Sequence, residues 1–276
     1  TEDIGNVWAG TFVIGVEDDS LCFYSDTIEV TQPDKIRIDS SFIDSTNCYA
    51  GTDGSVELFV IGGRGAYSYI WYEGGSVDSV NQINSLITSK ATGLDSGLYT
   101  VLISDTNNCQ LTDVFTVLEP EQLDISISTI DSANCSSSSD GWISTISTGG
   151  TKPYSYNWSD GQTTDSAFDL TSGTYEVFIS DFYSCLDSVT GVVYEPLKVS
   201  IDSTYIDSAN CFQVSDGFAE VFSSGGTGGY NYLWQDGQTT KKAVSLKAGN
   251  YQVIVSDQYN CKDSIVVTVN EPPKVK

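Results

Sequence analysis

Seven cysteines are the residues of this 276-residue chain with the most evident chemistry, and their spacing is regular. Cys109, Cys185 and Cys261 follow one another at intervals of 76 residues, and Cys135 and Cys211 are separated by the same interval. Because the chain has no histidine, these thiols cannot belong to Cys-His catalytic pairs or to His-ligated zinc sites. The pattern therefore favours disulfides, which in turn predict an oxidising compartment outside the cytoplasm.

Two pairings of these cysteines are weighed. One closes each repeat internally, with bonds Cys48–Cys109, Cys135–Cys185 and Cys211–Cys261, and with a partner for Cys22 upstream. The other joins Cys109 to Cys135 across a repeat boundary. Strands that run on through Glu119-Pro120 would hold those two sulfurs tens of ångströms apart, far beyond bonding distance. We therefore predict the internal pairing, in which the bond Cys135–Cys185 closes a loop of about 50 residues and stabilises its repeat by roughly 4 kcal/mol.

The charge of the chain excludes several classes of function. Only 12 Lys and Arg residues stand against 37 Asp and Glu residues, which gives a formal charge of −25. A polyanion of this density repels nucleic acids and anionic membrane surfaces. The sequence also contains no run of 18 apolar residues, the length that a membrane-spanning helix needs. Ser-His-Asp catalysis is excluded because the chain has no histidine. We predict a non-enzymatic, extracellular or cell-surface protein with no nucleic-acid partner and no membrane insertion.

The carboxylates raise the question of calcium. The densest cluster is Glu17-Asp18-Asp19, and Asp105, Asp181 and Asp257 recur four residues before a cysteine. Calcium requires six to eight oxygens around one point, and no segment has the spacing of an EF-hand loop. We therefore predict no metal and no cofactor, with calcium as the alternative.

Other markers share the 76-residue phase of the cysteines. Asp-Gly follows the first cysteine of each repeat, and a Gly-Gly pair, a tryptophan, a Gly-x-Tyr and a closing Glu-Pro come later in the same order. The predicted domains are 1–34 (the C-terminal half of a repeat), 35–121, 122–197 and 198–276. Repeat one, 35–121, is 11 residues longer than the others, at about 72–91. A half repeat at the start also predicts further repeats upstream.

Strand patterns dominate each repeat. In repeat two, Leu123, Ile125 and Ile127 alternate with polar residues, but Ile130 is out of phase, which predicts a kink or bulge that splits the first strand. The Tyr-x-Tyr-x-Trp segment ending at Trp158 has three rings on one face, which we assign to the core rather than to carbohydrate binding. The predicted fold is all-β: tandem immunoglobulin-like β-sandwiches of about 76 residues, end to end.

The combination of motifs resembles a known family. Cys-x4-Asp-Gly, Gly-Gly-x3-Tyr-x-Tyr-x-Trp, Gly-x-Tyr-x-Val, Ser-Asp-x3-Cys and Glu-Pro are similar to the SprB-type repeat of very large Bacteroidetes surface adhesins, including those moved by the gliding apparatus. The resemblance covers essentially the whole chain. It implies cell-surface display, attachment or filament building, and no catalysis; it supplies no binding residues.

Three functions follow from this resemblance and from the fold. The first is a stalk or adhesin whose partners are further repeats of the same chain. The second is a subunit of a self-assembling extracellular filament or sheath, in which edge strands pair between chains. The third is a glycan-binding module that contacts surface polysaccharide through the loops at Gly62-Gly63, Gly149-Gly150 and Gly225-Gly226.

The same lineage O-glycosylates Ser or Thr that follows Asp and precedes Ala, Ile, Leu, Val, Met or Thr. Ten positions fit this pattern: Ser20, Thr27, Ser45, Ser79, Ser132, Ser166, Ser188, Ser203, Ser208 and Ser264. We predict that several of them carry glycans, which would shield the acidic surface. The alternative is that Asp-Ser is favourable turn chemistry that recurs with the repeat.

Overall fold

The computed structural model describes residues 5–276, in which the regular elements are 21 strands and one 3-10 turn. The first four residues of the predicted half repeat 1–34 lie outside the described residues. Two compact units, Thr1–Glu121 and Gln122–Lys276, divide the chain. Each sheet lies within one of the four ranges predicted from the sequence.

The first unit begins with an antiparallel hairpin, β1 (Gly10–Glu17) and β2 (Phe23–Val30). Repeat one follows with the strands β3 (Arg37–Asp44), β4 (Gly54–Ile61), β5 (Ser68–Glu73), β6 (Gln82–Ile83), β7 (Lys90–Leu94), β8 (Gly97–Ser104) and β9 (Gln110–Val117). They form two antiparallel sheets, ordered β3-β4-β7 and β6-β5-β8-β9.

The second unit contains two repeats of six strands each. Repeat two has β10 (Asp124–Asp131), β11 (Gly141–Thr148), β12 (Ser155–Trp158), β13 (Ser166–Leu170), β14 (Gly173–Ser180) and β15 (Leu186–Val193). Repeat three has β16 (Ser200–Asp207), β17 (Gly217–Ser224), β18 (Asn231–Trp234), β19 (Lys242–Leu246), β20 (Gly249–Ser256) and β21 (Lys262–Val269). Their sheets are β10-β11-β13 with β12-β14-β15, and β16-β17-β19 with β18-β20-β21.

This strand order is that of an immunoglobulin sandwich. In chain order the six strands of repeat two take the places A, B, C, E, F and G, with A, B and E in one sheet and C, F and G in the other. Strand D has no counterpart among the described strands of this repeat. The prediction of all-β, immunoglobulin-like repeats is confirmed.

The first strand of each full repeat contains the predicted irregularity. The pairing of β10 with β11 shifts between Ile127 and Thr129, and the equivalent shifts fall between Ile38 and Ser40 and between Ile201 and Ser203. One extra residue therefore reverses the face on which later side chains lie. The bulge is confirmed, although the strand continues through it because pairing resumes on the other side.

Each core is centred on the tryptophan of the C-position strand. Trp71, Trp158 and Trp234 are buried, and their indole Nε1 atoms donate to backbone carbonyls at 2.8–2.9 Å. The two preceding tyrosines of each motif pack partly buried against the same cluster. The core assignment of the aromatic segment is therefore confirmed.

A tyrosine at the start of each F-position strand closes the sandwich from the other side. The hydroxyls of Tyr99, Tyr175 and Tyr251 donate to the carbonyl of the residue four positions earlier, at 3.0–3.2 Å. This contact is the tyrosine corner of immunoglobulin-like domains. Burial, followed by a hydrogen bond to the Asp95 carboxylate, raises the pKa of Tyr99 above its usual value.

The insertion in repeat one adds an edge strand. The chain leaves β5 at Glu73, turns through the 3-10 segment Ser79–Asn81 and returns as β6, which pairs with β5 at Trp71 and Ile83. Ile83 and Leu86 pack against the core of repeat one. The added residues are therefore part of the sandwich.

Candidate functional site at the repeat junction

The loop that carries the first cysteine of each repeat joins the A- and B-position strands. In repeat two, the backbone N–H and the side-chain Nδ2 of Asn134 donate to the Asp140 carboxylate at 3.1 and 2.6 Å. Ser138 donates to the same carboxylate. Hydrogen bonds from Ser138 and then Asn134 lower the pKa of Asp140 to about 2. The Asp of Asp-Gly therefore fixes the shape of the cysteine loop.

The glutamate of Glu-Pro holds this loop at the C-terminal end of the repeat. Ser137 has a left-handed backbone, with φ at 62°, and its N–H donates to the Glu195 carboxylate. The N–H of Ala133 donates to the Tyr194 carbonyl at 2.9 Å. Because Tyr194 and Glu195 are the two residues that follow β15, the loop lies where that strand ends. The sequence indicated Glu-Pro only as the closing marker of each repeat; the recurrence of the glutamate in the 76-residue phase was the available signal for this contact.

The second cysteine lies at the opposite end of the repeat, in the hairpin of the F- and G-position strands. In repeat three, Asp257 Oδ1 accepts from the N–H groups of Tyr259 and Cys261 at 3.0 and 2.9 Å. Its Oδ2 accepts from the N–H and the hydroxyl of Thr227, both at 3.0 Å. Burial acts to raise the pKa of Asp257, but the donors from Thr227 and Cys261 outweigh it, and the pKa lies below its usual value.

The same arrangement recurs at the other aspartates first considered for calcium. Asp105 and Asp181 each accept three backbone N–H groups, and Asp18 accepts two, from Ser20 and Cys22. These carboxylates therefore face N–H donors from their own turns and, at Asp105 and Asp181, also one from the Gly-Gly loop of the same repeat. Across residues 5–276, no group of three or more acidic or cysteine side chains is placed to hold a metal ion.

A disulfide joins the two kinds of cysteine across the junction of repeats two and three. Cys135 lies in the loop at the end of repeat two that faces repeat three, and Cys261 lies in the hairpin at the facing end of repeat three. The two cysteines are bonded to each other. Their Cα atoms are 5.5 Å apart and their sequence separation is 126 residues. The Cys261 sulfur also lies 3.3 Å from the Asn134 carbonyl oxygen. The two repeats are thus covalently linked as well as joined by the chain.

The other cysteines divide into bonded and free. Cys48, the first cysteine of repeat one, and Cys185, the second cysteine of repeat two, are disulfide-bonded. Cys22, Cys109 and Cys211 are free and exposed. The upstream partner predicted for Cys22 stays a prediction.

The predicted internal pairing is wrong. Cys135 is bonded to Cys261 rather than to Cys185, and Cys211 is free, so neither predicted bond of the second unit forms. The predicted bond Cys48–Cys109 is excluded because Cys109 is free. The reason is distance: Cys185 directly precedes β15, whereas the Cys135 loop contacts the residues directly after it. Eight residues of strand separate them by roughly 26 Å, and a disulfide tolerates at most about 7 Å between Cα atoms.

The predicted glycosylation positions lie mostly on the surface, whereas the predicted glycan-binding loops make hydrogen bonds within their own repeats. Of the ten glycosylation candidates, Ser166 is half-buried and the others are exposed. The Gly-Gly loops proposed for glycan binding are packed against their own repeats, because the hydroxyls of Tyr67, Tyr154 and Tyr230 donate to the carbonyl of the first glycine.

Long apolar helices of the kind that cross a bilayer do not occur in residues 5–276.

Comparison with known families finds two matching segments. The SprB repeat family model matches residues 127–163 and 203–239. Both segments begin within the A-position strand, include the first cysteine and Asp-Gly, and end just after the buried tryptophan. No curated protein matches the sequence.

Three solved structures are among those that match this chain. The three N-terminal domains of the highly immunogenic outer capsid protein (Hoc) of bacteriophage RB49 are 15% identical, with a TM-score of 0.44, and cover 87% of this chain and 100% of theirs. Sidekick-1 immunoglobulin domains 1–5 are 10% identical, with a TM-score of 0.38, and cover 95% of this chain and 66% of theirs. The N-terminal eight immunoglobulin domains of Down Syndrome Cell Adhesion Molecule are 12% identical, with a TM-score of 0.37, and cover 96% of this chain and 40% of theirs.

Proposed function

We propose that this chain, a tandem of immunoglobulin-like sandwiches that contains SprB repeats, is the load-bearing stalk of an extracellular, non-enzymatic adhesin. The SprB matches and the disulfides support an extracellular, adhesin-like repeat region. The observation that carries the stalk role is the bond between Cys135 and Cys261, because it joins neighbouring repeats where a pull along the chain would pass.

The position of this bond determines which residues carry tension. A force that enters at residue 122 reaches Cys135 within one strand, crosses the disulfide to Cys261 and leaves through β21. The force bypasses the residues between the two cysteines, whose sequence separation is 126 residues and which include most of both cores. Even if a core unfolds, its chain cannot be drawn out until the disulfide is broken. A stalk with this property keeps its reach nearly constant under load.

The aspartate and glutamate contacts at the junction support the same role. Glu195 holds the loop of Cys135, and Asp257 holds the hairpin of Cys261. Both sulfurs are therefore positioned by hydrogen bonds within their own repeats, which lowers the entropic cost of forming the bond. The partners of the repeats in this proposal are other repeats of the same chain.

The test separates bearing load from binding a ligand. The chain is displayed on cells between an inert anchor and an adhesive tip of known ligand, and detachment is measured under rising flow. We expect attachment only when the tip is present, and earlier detachment for the double variant Cys135→Ser, Cys261→Ser than for the wild type. The Cys211→Ser variant is the matched control, because that thiol is free and exposed.

Two outcomes would contradict the stalk. Attachment without the tip, abolished by soluble polysaccharide, would instead support the glycan-binding module. Ordered polymers in negative-stain images of the purified oxidised chain would instead support the filament.

A further inference from the structure

The exposed loop of Cys211 repeats the loop that forms the existing junction. In repeat three, the N–H of Ala209 donates to the Asn270 carbonyl at 2.9 Å, as Ala133 donates to Tyr194 in repeat two. The Nδ2 of Asn210 donates to Asp216 at 2.8 Å. These contacts match those around Cys135, residue for residue in the 76-residue phase.

The remaining anchor of the loop is also present. The N–H of Gln213 donates to the Glu271 carboxylate at 2.6 Å, and Gln213 has a left-handed φ of 63°. Ser137 makes the same contact to Glu195, with a φ of 62°. Repeat three therefore presents the same loop geometry as repeat two.

The two loops differ in what covers them. Around Cys135 the hairpin of the next repeat is seated and bonded, whereas Cys211 is exposed with a free thiol. Phe212 and Val214, next to Cys211, are 39% and 41% exposed. Apolar side chains therefore lie exposed next to the unpaired sulfur.

We infer that the loop 208–216 is a docking surface for the N-terminal hairpin of another SprB-type repeat, and that Cys211 forms a disulfide with the second cysteine of that hairpin. The observation that supports this inference is that Cys135, the counterpart of Cys211, is disulfide-bonded in the same structure. The occupant is a hairpin built as in Asp257–Cys261, with the aspartate holding the N–H of the cysteine. The inference depends on the geometry of the junction and not on the stalk role.

Bond formation requires an oxidant, for which we name a small disulfide such as glutathione disulfide. A thiolate attacks the reagent to give a mixed disulfide, and the second thiolate displaces the remaining glutathione. The two repeat thiols lose two electrons and two protons, and glutathione disulfide becomes two molecules of glutathione.

The test extends the full chain by one repeat in phase. Val275 occupies the phase of Val199, so a second copy of residues 201–276 is added directly after Lys276. The copy carries Tyr259→Phe, which distinguishes its cysteine peptide from the original by mass. Parent and extended chains are equilibrated in glutathione and glutathione disulfide, alkylated, and mapped by mass spectrometry.

We expect Cys211 to be alkylated in the parent and, in the extended chain, to be recovered joined to the marked peptide. A copy that also carries Cys261→Ser is the matched control, and it should leave Cys211 open to alkylation. Tryptophan fluorescence of the extended chain checks that the added repeat is folded. Equal alkylation of Cys211 in parent and extended chains, with the added repeat folded, would overturn the inference. So would a bond from Cys211 to Cys22 or Cys109 of a second molecule in place of the marked peptide.

Discussion

Removing the bond between repeats two and three should greatly increase the length to which they can be pulled. The perturbation is the double variant Cys135→Ser, Cys261→Ser, which removes both sulfurs and so leaves neither of them to exchange with the free thiol of Cys211. The core residues and the hydrogen bonds of the sandwiches are unchanged. Any change in final extension therefore reports the bond alone.

The expected magnitude follows from the sequence separation of the bond. The sequence separation of 126 residues between the two cysteines, at about 3.5 Å per extended residue, corresponds to about 440 Å of chain. With the bond intact, only residues 122–135 and 261–276 can extend, to roughly 100 Å in total. The variant should therefore reach a final length several times that of the oxidised wild type.

The assay is single-molecule force spectroscopy on the full chain, with handles attached on either side of residues 122–276. Oxidised wild type and Cys211→Ser should give the same short extension. The double variant, and the wild type after reduction, should give the long one.

Two results would refute this reasoning. The first is a wild-type extension as long as that of the variant, because no bond would then bypass the two cores. The second is a gain on reduction that divides into two equal steps of about 175 Å, because bonds within each repeat would each release about 50 residues. That outcome would restore the pairing first predicted from the sequence.

Three further predictions address the cores, the acid response and the surface. Trp158→Ala should lower the free energy of unfolding by about 3–5 kcal/mol, whereas Leu233→Ala, at a side chain 53% exposed, should cost less than about 1 kcal/mol; urea denaturation followed by circular dichroism compares them. The pKa of Asp140 is lowered to about 2 in the folded chain from about 3.9 when unfolded, so its stabilisation is complete above about pH 4 and is lost as the pH falls through 2. Asp140→Asn should accordingly weaken the loss of stability over that range, and equal losses in both proteins would contradict this assignment. For chain isolated from its native source, intact-mass measurement should show an excess over the bare polypeptide in multiples of sugar residues, and an unmodified mass would end the glycosylation hypothesis.

Most of the fold could be predicted because it depends on local pattern. The alternation of Leu123, Ile125 and Ile127 identified the first strand, and the displaced phase of Ile130 located its bulge correctly. Trp158 was assigned to the core because a large ring at a strand position inside a sandwich has little other place to pack. Each inference needed only neighbouring residues.

The partner of each cysteine depends on strand direction, which local pattern does not reveal. A chain that reversed at every turn would bring Cys135 and Cys185 to the same end of a repeat. In the structure, β12 is antiparallel to β14 and β13 is antiparallel to β11. The contact of Ala133 with Tyr194 shows that β10 and β15 end together, so β12 and β13 run in the same direction. The hairpin of Cys185 therefore lies at the other end.

The bond between Cys135 and Cys261 joins unlike members of neighbouring repeats, and this has a consequence for how such arrays change in evolution. Each 76-residue unit contributes one cysteine of each kind. If a whole unit is duplicated or deleted by recombination, each cysteine at an internal junction therefore still faces a cysteine with which it can form a disulfide. Arrays of very different lengths could arise in this way without leaving an unpaired cysteine at an internal junction.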